Sequence, residues 1–547
     1  MFKSDPPAAT GARSSRRSTG WCAAIVAAFT LTTSGTAFAD AELDALKKQV
    51  QELQQKIDAM AKPQAAQPGA PVAPAAPAAP AAPAVAAATP PSPAGATKPD
   101  GAFSMNGITL YGVIDLNVVY QTHGTPLSDY HPAGTYSYIQ KNSNRNILTF
   151  SENGLSVSKI GLEGEKEILD GWSGIFRLES GFNPLSGDFV DALKSMTVQN
   201  GKALNAQTTG NDSSYAGELF NAAAFVGLTH RQFGTITVGR QNGLIADGVA
   251  RYDPMQNSQA FSVIGISGTG PGGGDTENRR LDNSVKYNLQ HEALHLAALY
   301  QFNGSSGQPG SAYQLTVGGS FPKGSFDLFY SKKYDAISSA PLTAAQVTTL
   351  NCPYVVAAAP VAPCTVAGGG GNALDRSLAG TISDNAAFAI MGKYSFDNLK
   401  LSGGYEHIAY ANPENPLPPG TYTIGGYVLA YVNPQTGPAS TFAIEKIVQY
   451  WWIGARYAIL PTLDWTTAWY HFEQGAYATG ANAGCHDARA ANCAGSTQAI
   501  STLLDWRLSK RFDTYAGAEW SEARDGMASG FLNRTTINPT IGLRFTF

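Results

Sequence analysis

The chain has 547 residues, of which only 14% are charged, and it carries 58 glycines, 24 tyrosines and 24 phenylalanines. A mean hydropathy of −0.14, with no run of about 20 apolar residues beyond position 40, excludes a bundle of membrane-spanning helices. A net charge of −4 and a pI near 6.1 give no basic footprint for nucleic acid, and the glycine- and aromatic-rich texture suits a large β structure.

Residues 1–39 read as an export signal. Arg13, Arg16 and Arg17 make a positive start, Trp21 to Leu31 a short apolar core, and Ala37-Phe38-Ala39 a small-x-small cleavage site before Asp40. Removing this segment takes away four basic residues and one acidic residue, so the net charge moves from −4 to −7. It also takes away Cys22 and leaves four cysteines. Cys352 and Cys364 stand 12 apart, and Cys485 and Cys493 stand 8 apart, each pair inside a Gly/Ala/Pro-rich stretch. Three pairings are possible, and two local disulfides in an oxidising compartment are the simplest. Zinc is the rival reading, but neither spacing is that of a Cys-x-x-Cys hook.

Residues 40–62 carry a heptad. Leu43, Leu46, Val50, Leu53, Ile57 and Met60 recur at alternating steps of three and four, which keeps one seam facing a partner helix. Three heptads are marginal alone, so the spacing predicts a small coiled coil between copies of the chain. Residues 63–104 form an Ala/Pro-rich linker, with 11 of the 32 prolines between 63 and 99. Such a segment favours semi-rigid polyproline II at roughly 3.1 Å per residue, and it could hold the heptad far from the next domain.

From about residue 105 the pattern changes to long strands separated by turns. Ile108, Leu110, Gly112, Ile114, Leu116, Val118 and Tyr120 share one face, while Thr109, Tyr111, Asp115 and Asn117 share the other. The same alternation runs through 294–302, 388–396, 399–406, 500–508 and 540–547. A soluble sandwich would turn its apolar face inward. Here the polar face carries Asp, Glu, Lys and Arg, whose burial in a dry core would be very costly. A wet lumen removes that cost, the apolar face then meets lipid, and the sheet must close so that no backbone group is left unpaired in hydrocarbon. About 16 strands fit between 108 and 547, with short turns such as 395–398 and 509–513 against long connections at 181–217, 241–280, 335–385, 411–444 and 474–497. The fold expected for 105–547 is therefore all-β, a 16-stranded antiparallel transmembrane barrel, with both cysteine pairs in long connections.

Several segments carry a resemblance. They are Thr109-Leu110-Tyr111-Gly112-Val113-Ile114-Asp115, Ser158-Lys159-Ile160-Gly161-Leu162-Glu163-Gly164, Gly171 to Ser180, Ala224 to Leu228, Phe233 to Gln241, Asn283 to Tyr287 and the terminus Gly542 to Phe547. In their order and spacing the chain resembles the general porins of Gram-negative bacteria, of the Burkholderia and Neisseria type. The resemblance implies a trimeric outer-membrane channel that passes small hydrophilic solutes, needs no cofactor or metal, and is recognised by the barrel-assembly machinery through Phe547. It also implies that the third loop, after Gly239-Arg240-Gln241 and up to Arg280, folds into the lumen. That loop carries Asp247, Asp253, Asp275 and Glu277, and the wall bases expected to face them are Lys159, Arg177 and Lys286. Arg251, Arg279 and Arg280 make the loop's sign mixed. Arg240 shares phase with Ile236 and Val238, so it reaches the pore only if the strand ends or bulges there. The heptad and linker are additions to the simple pattern and look like a periplasmic spacer, with peptidoglycan as a candidate contact. A solute-selective channel for organic acids or aromatic compounds is the main alternative.

One motif points elsewhere. His291-Glu292-Ala293-Leu294-His295 has the spacing of a zinc protease, and that chemistry requires a helix to bring both imidazoles to one face. The flanking alternation predicts strands instead, and the family resemblance implies a periplasmic turn here, so the expectation is a channel rather than an enzyme.

Overall fold

The computed structural model describes residues 103–122, 146–187, 219–264, 280–302, 311–341, 378–413, 493–528 and 533–547, together with most of 420–480. The export signal, the heptad and nearly all of the Ala/Pro linker lie outside these residues, as do Asp275, Glu277, Cys352, Cys364 and Cys485.

The described chain begins with β1 (Phe103–Met105), which turns through Asn106 and Gly107, both at positive φ, into β2 (Ile108–Gln121). β3 (Ile147–Glu152) and β4 (Lys159–Leu169) are two halves of one stave. β3 pairs with the far half of β2 and β4 with its near half. There follow β5 (Trp172–Gly181), β6 (Ala223–His230), β7 (Gly234–Asn242), helix α1 (Leu244–Tyr252), β8 (Arg280–His291), β9 (Leu294–Gln301), β10 (Ala312–Phe321) and β11 (Gly324–Pro341). β12 (Leu378–Phe396) and β13 (Leu399–Ala411) come next. The small ladder of β14 (Gly420–Ile424), β15 (Tyr427–Asn433) and β16 (Gly437–Pro438) lies in the connection to β17 (Lys446–Leu460). β18 (Leu463–Gln474), β19 (Gly495–Arg507), β20 (Phe512–Asp525) and β21 (Thr535–Thr546) complete the wall. β21 pairs with both β20 and β2, Val113 lying opposite Thr546, so the sheet closes on itself. With β3 and β4 counted as one, and β1 and β14 to β16 set aside, the barrel is the expected closed 16-stranded antiparallel one.

The alternation in sequence becomes two surfaces. In β2, Asp115 and Asn117 are buried inward while Tyr120 stands outward. Outside, large apolar side chains such as Leu148, Phe150, Val226, Ile453 and Ile541 are more than half exposed, as a lipid-facing wall requires. Rings cluster at both ends of this band. Trp172 and Phe233, Tyr394 and Phe396, and Phe512 and Phe545 lie by the short turns, and Tyr300 with Phe302 and Tyr313 with Tyr330 lie toward the long connections. All short turns are at one end. The connection expected over 335–385 is shorter than that, because β11 and β12 stay paired out to Pro341 opposite Leu378, past a bulge between Lys333 and Ala336.

The principal buried apolar cluster lies inside the barrel. Leu244, Ile245, Val249 and Tyr252 of α1, with Met255 and Phe261 after it, join Phe329, Met391, Ile408, Trp452 and Tyr470, whose strands point them inward.

Candidate functional site

The third loop starts where β7 ends. Gly243 offers no side-chain cap to α1, and Gln314 of β10 takes that role, its Oε1 accepting from the Leu244 amide at 2.5 Å. Asp247 sits in the first turn and Arg251 in the last, the arrangement favoured by the helix dipole. Gly248 is the contact point with the wall. A Cβ there would lie 2.4 Å from Phe329 Cζ and 3.0 Å from Met391 Sδ.

The last turn of α1 is anchored on Asp327 of β11, a fully buried carboxylate. Asp327 Oδ2 accepts from Arg251 Nη1 at 2.6 Å and from the Tyr252 hydroxyl at 2.7 Å. Its Oδ1 lies 2.9 Å from His295 Nδ1, and His295 Nε2 lies 2.7 Å from Ser320 Oγ. Burial pushes the Tyr252 phenol up to about 12, so it stays a donor. Ser320, His295 and Asp327 stand in the order of an acyl-transfer triad. The second oxygen of Asp327 is held by the loop, however, and the group ties three neighbouring strands to α1.

Beyond α1 the loop crosses the lumen. Asp253 is buried in a turn, where Oδ1 accepts from the Tyr470 hydroxyl at 2.6 Å and Oδ2 from the Asn257 amide at 2.7 Å. Burial holds its carboxyl above the ordinary range, against the pull of these hydrogen bonds. Pro254 packs where Gly454 of β17 leaves room. The loop then lands at the break between β3 and β4, where the Gly154 carbonyl accepts from Ser258 Oγ at 2.8 Å and from the Ala260 amide at 2.9 Å. Phe261 meets Tyr515 of β20 edge-on. The break itself is held by Asp115, whose Oδ2 accepts from the Leu155 and Ser156 amides, both at 2.8 Å, while Oδ1 accepts from the Tyr515 hydroxyl at 2.5 Å.

The residues expected from sequence fall into pairs. Lys286 Nζ is 2.7 Å from Asp247 Oδ2 and donates to the Asn242 carbonyl at 2.9 Å, fastening the start of the loop. Lys159 pairs with Glu179 at 3.0 Å and Arg177 with Glu163 at 2.7 Å, with Tyr111 between them donating to Glu179 at 2.8 Å. Arg240 is turned by a register shift between Gly239 and Gln241, with Gly239 at φ 133°. It pairs with Asp282, and its Nε donates to the Asn221 carbonyl at 2.8 Å. That bulge supplies what strand phase alone withholds. Cys493 is buried and disulfide-bonded, its partner lying outside the described residues.

His291 and His295 do not share a helix. Glu292, at φ 50°, and Ala293 form the hairpin turn between β8 and β9, so the motif straddles a turn rather than running along one extended strand. Among the described residues no group of three His, Cys, Asp or Glu side chains could hold a metal. Sequence reasoning passed over Asp327 and Tyr470 and placed Asp115 on the polar face without giving it a role. The available signal was their inward phase, for example Asp327 between Phe326 and Leu328.

A family profile described as Gram-negative porin matches residues 73–526. An outer membrane porin protein of Bordetella pertussis is 26% identical over 180 residues, 33% of this chain and 38% of that protein, so the match spans well under half of the relative's length. The anion-selective porin from Comamonas acidovorans superposes with a TM-score of 0.50 at 14% identity, covering 80% of this chain and 99% of that one. A trimer form of Vibrio cholerae OmpT gives a TM-score of 0.46 at 10% identity, covering 80% and 99%.

Proposed function

Since this chain belongs to the Gram-negative porin family and forms a β-barrel of the outer membrane, we propose that it is a water-filled channel through which small hydrophilic solutes and ions diffuse passively. The observation that carries the reading is the third loop. Its helix lies inside the barrel and is fastened to the wall at Gln314, Asp327 and Lys286, so it narrows the bore as a fixed element. The inward charges supply the rest, since paired ions on the wall of a wet lumen are tolerated where a dry core would reject them. No chemistry is asked of the protein beyond exclusion by size and charge.

In this reading the bore is lined by Lys159 and Arg177 with their partners Glu163 and Glu179. Asp247, Lys286 and Asp253 hold the loop in place, and Arg240 ties β7 to Asp282 of β8 beside it. The long connections face outward from the cell and the short turns face the periplasm, where the heptad is able to join three copies or touch peptidoglycan. The homotrimer is supported by the family, and Phe547 is the signal offered to the assembly machinery.

Purified protein in planar bilayers is expected to give large, ohmic current steps in groups of three. Correctly folded trimers that pass no current would falsify the channel. Gly248→Val is expected to lift α1 from Phe329 and Met391 toward the bore, and single-channel recordings should then show a smaller conductance from a normally folded barrel. An unchanged conductance would mean that α1 does not border the path.

A further inference from the structure

Inward charges along most of the wall are matched one to one: Arg544 with Asp513, Arg177 with Glu163, Lys159 with Glu179, Arg240 with Asp282 and Lys286 with Asp247. One sector carries an excess of bases. It starts at the last turn of α1, where Lys393 of β12 stands 5.5 Å from the Tyr252 ring centroid and its Nζ lies 3.5 Å from the Arg251 carbonyl. Ser402 is the partner of Lys393 across the ladder, so Lys400, two residues away on the same face, is its diagonal neighbour. Lys400 in turn sits directly opposite Arg456 of β17. Arg456 and Arg507 of β19 both donate to a single oxygen, Asp464 Oδ2, with Arg507 Nη1 at 2.6 Å.

The register therefore lays Lys393, Lys400, Arg456 and Arg507 in one row that descends from beside Arg251 toward the short turns at 397–398 and 461–462. Arg251 is matched by Asp327, and the two lower arginines share Asp464. Lys393 and Lys400 have no ion pair among the described residues, and the next acid along, the half-buried Asp505, stands opposite Asp464 beside the two lower arginines rather than beside these lysines. Like charges placed opposite each other across a ladder, as Lys400 and Arg456 are, destabilise the sheet unless water or a counter-ion screens them. Lys400 is exposed, and the Arg456 and Arg507 side chains keep 25% and 33% of their surface, so the row is open to both.

Resting on the channel reading above, we infer that this row is an anion track: it gathers small anions between the third-loop helix and the short-turn mouth and gives the channel a preference for anions over cations. Two unmatched ammonium groups in a narrow, low-dielectric-walled passage raise the local anion concentration, and the effect fades as salt screens it.

The test is the zero-current potential across a potassium chloride gradient, read on trimers in planar bilayers. The natural protein should favour chloride. Lys393→Gln with Lys400→Gln should lower the chloride-to-potassium permeability ratio by at least about twofold in dilute salt, with a smaller difference near 1 M. Lys400→Gln alone, at an exposed position by a turn, should give part of that shift, and Lys393→Arg with Lys400→Arg should keep the natural ratio. A potassium preference in the natural protein, or the same ratio in the glutamine variants, overturns the track while the current itself upholds the channel. Absence of current would instead overturn the channel.

Discussion

Asp327→Ala is expected to loosen the third loop and leave the barrel standing. The substitution strips the acceptor from Arg251, Tyr252 and His295 at once. Removing one partner of a buried pair costs about 3 kcal/mol or more. The Arg251 side chain is about one-third exposed and recovers some hydration, so the lower end applies here. The start of the loop remains fastened by Lys286 to Asp247, and its far end by Ser258 and Ala260 to Gly154. Asp253 still accepts from Tyr470, so the release is confined to Arg251 and Tyr252 in the last turn of α1. Single-channel currents should therefore become larger and noisier, while the heat-modifiable mobility of the folded barrel on gels stays as in the natural protein. Quiet currents of natural size would show that the Asp327 group does not hold the loop.

Asp115→Ala should have the larger effect on stability. Its carboxylate satisfies two buried amides, those of Leu155 and Ser156, and the Tyr515 hydroxyl from across the closing seam. Each buried donor left without an acceptor costs about 1–3 kcal/mol, so the loss is roughly 4 kcal/mol. The cost falls at the break between β3 and β4, where the loop also lands. A lower midpoint in denaturant is the expected result, with Asp115→Asn falling between the two because one carbonyl oxygen remains. An alanine variant with the natural midpoint would mean that these amides find other acceptors.

The wall was legible in the sequence because a strand has a period of two and the two solvents differ sharply. Ile108 to Tyr120 and Ile541 to Phe547 declare their faces without help from any partner. The bulge at Gly239 was legible only as a condition on Arg240. Of the loop's anchors, only Lys286 facing a loop acid, Asp247, was expected, and that through the family resemblance. Asp253 meets Tyr470 and Asp115 meets Tyr515 across 217 and 400 positions, and no local pattern encodes such a distance. His291 and His295 show the reverse, since a motif with a chemical meaning on a helix loses it when the register places a turn between them. Lys159 and Arg177 were expected to face loop acids and pair instead with the wall's Glu179 and Glu163, because phase tells which face a base takes but not which carboxylate waits there.

The path of residues 244–261 has a mechanical side. The same short segment is attached at Asp327 on β11, at Tyr470 on β18 and at Gly154 between β3 and β4, three stations well apart around the ring. A strut fixed at such stations resists ovalisation of the cylinder, and it also transmits it. A load on one part of the wall is thereby shared with the other two through a single loop.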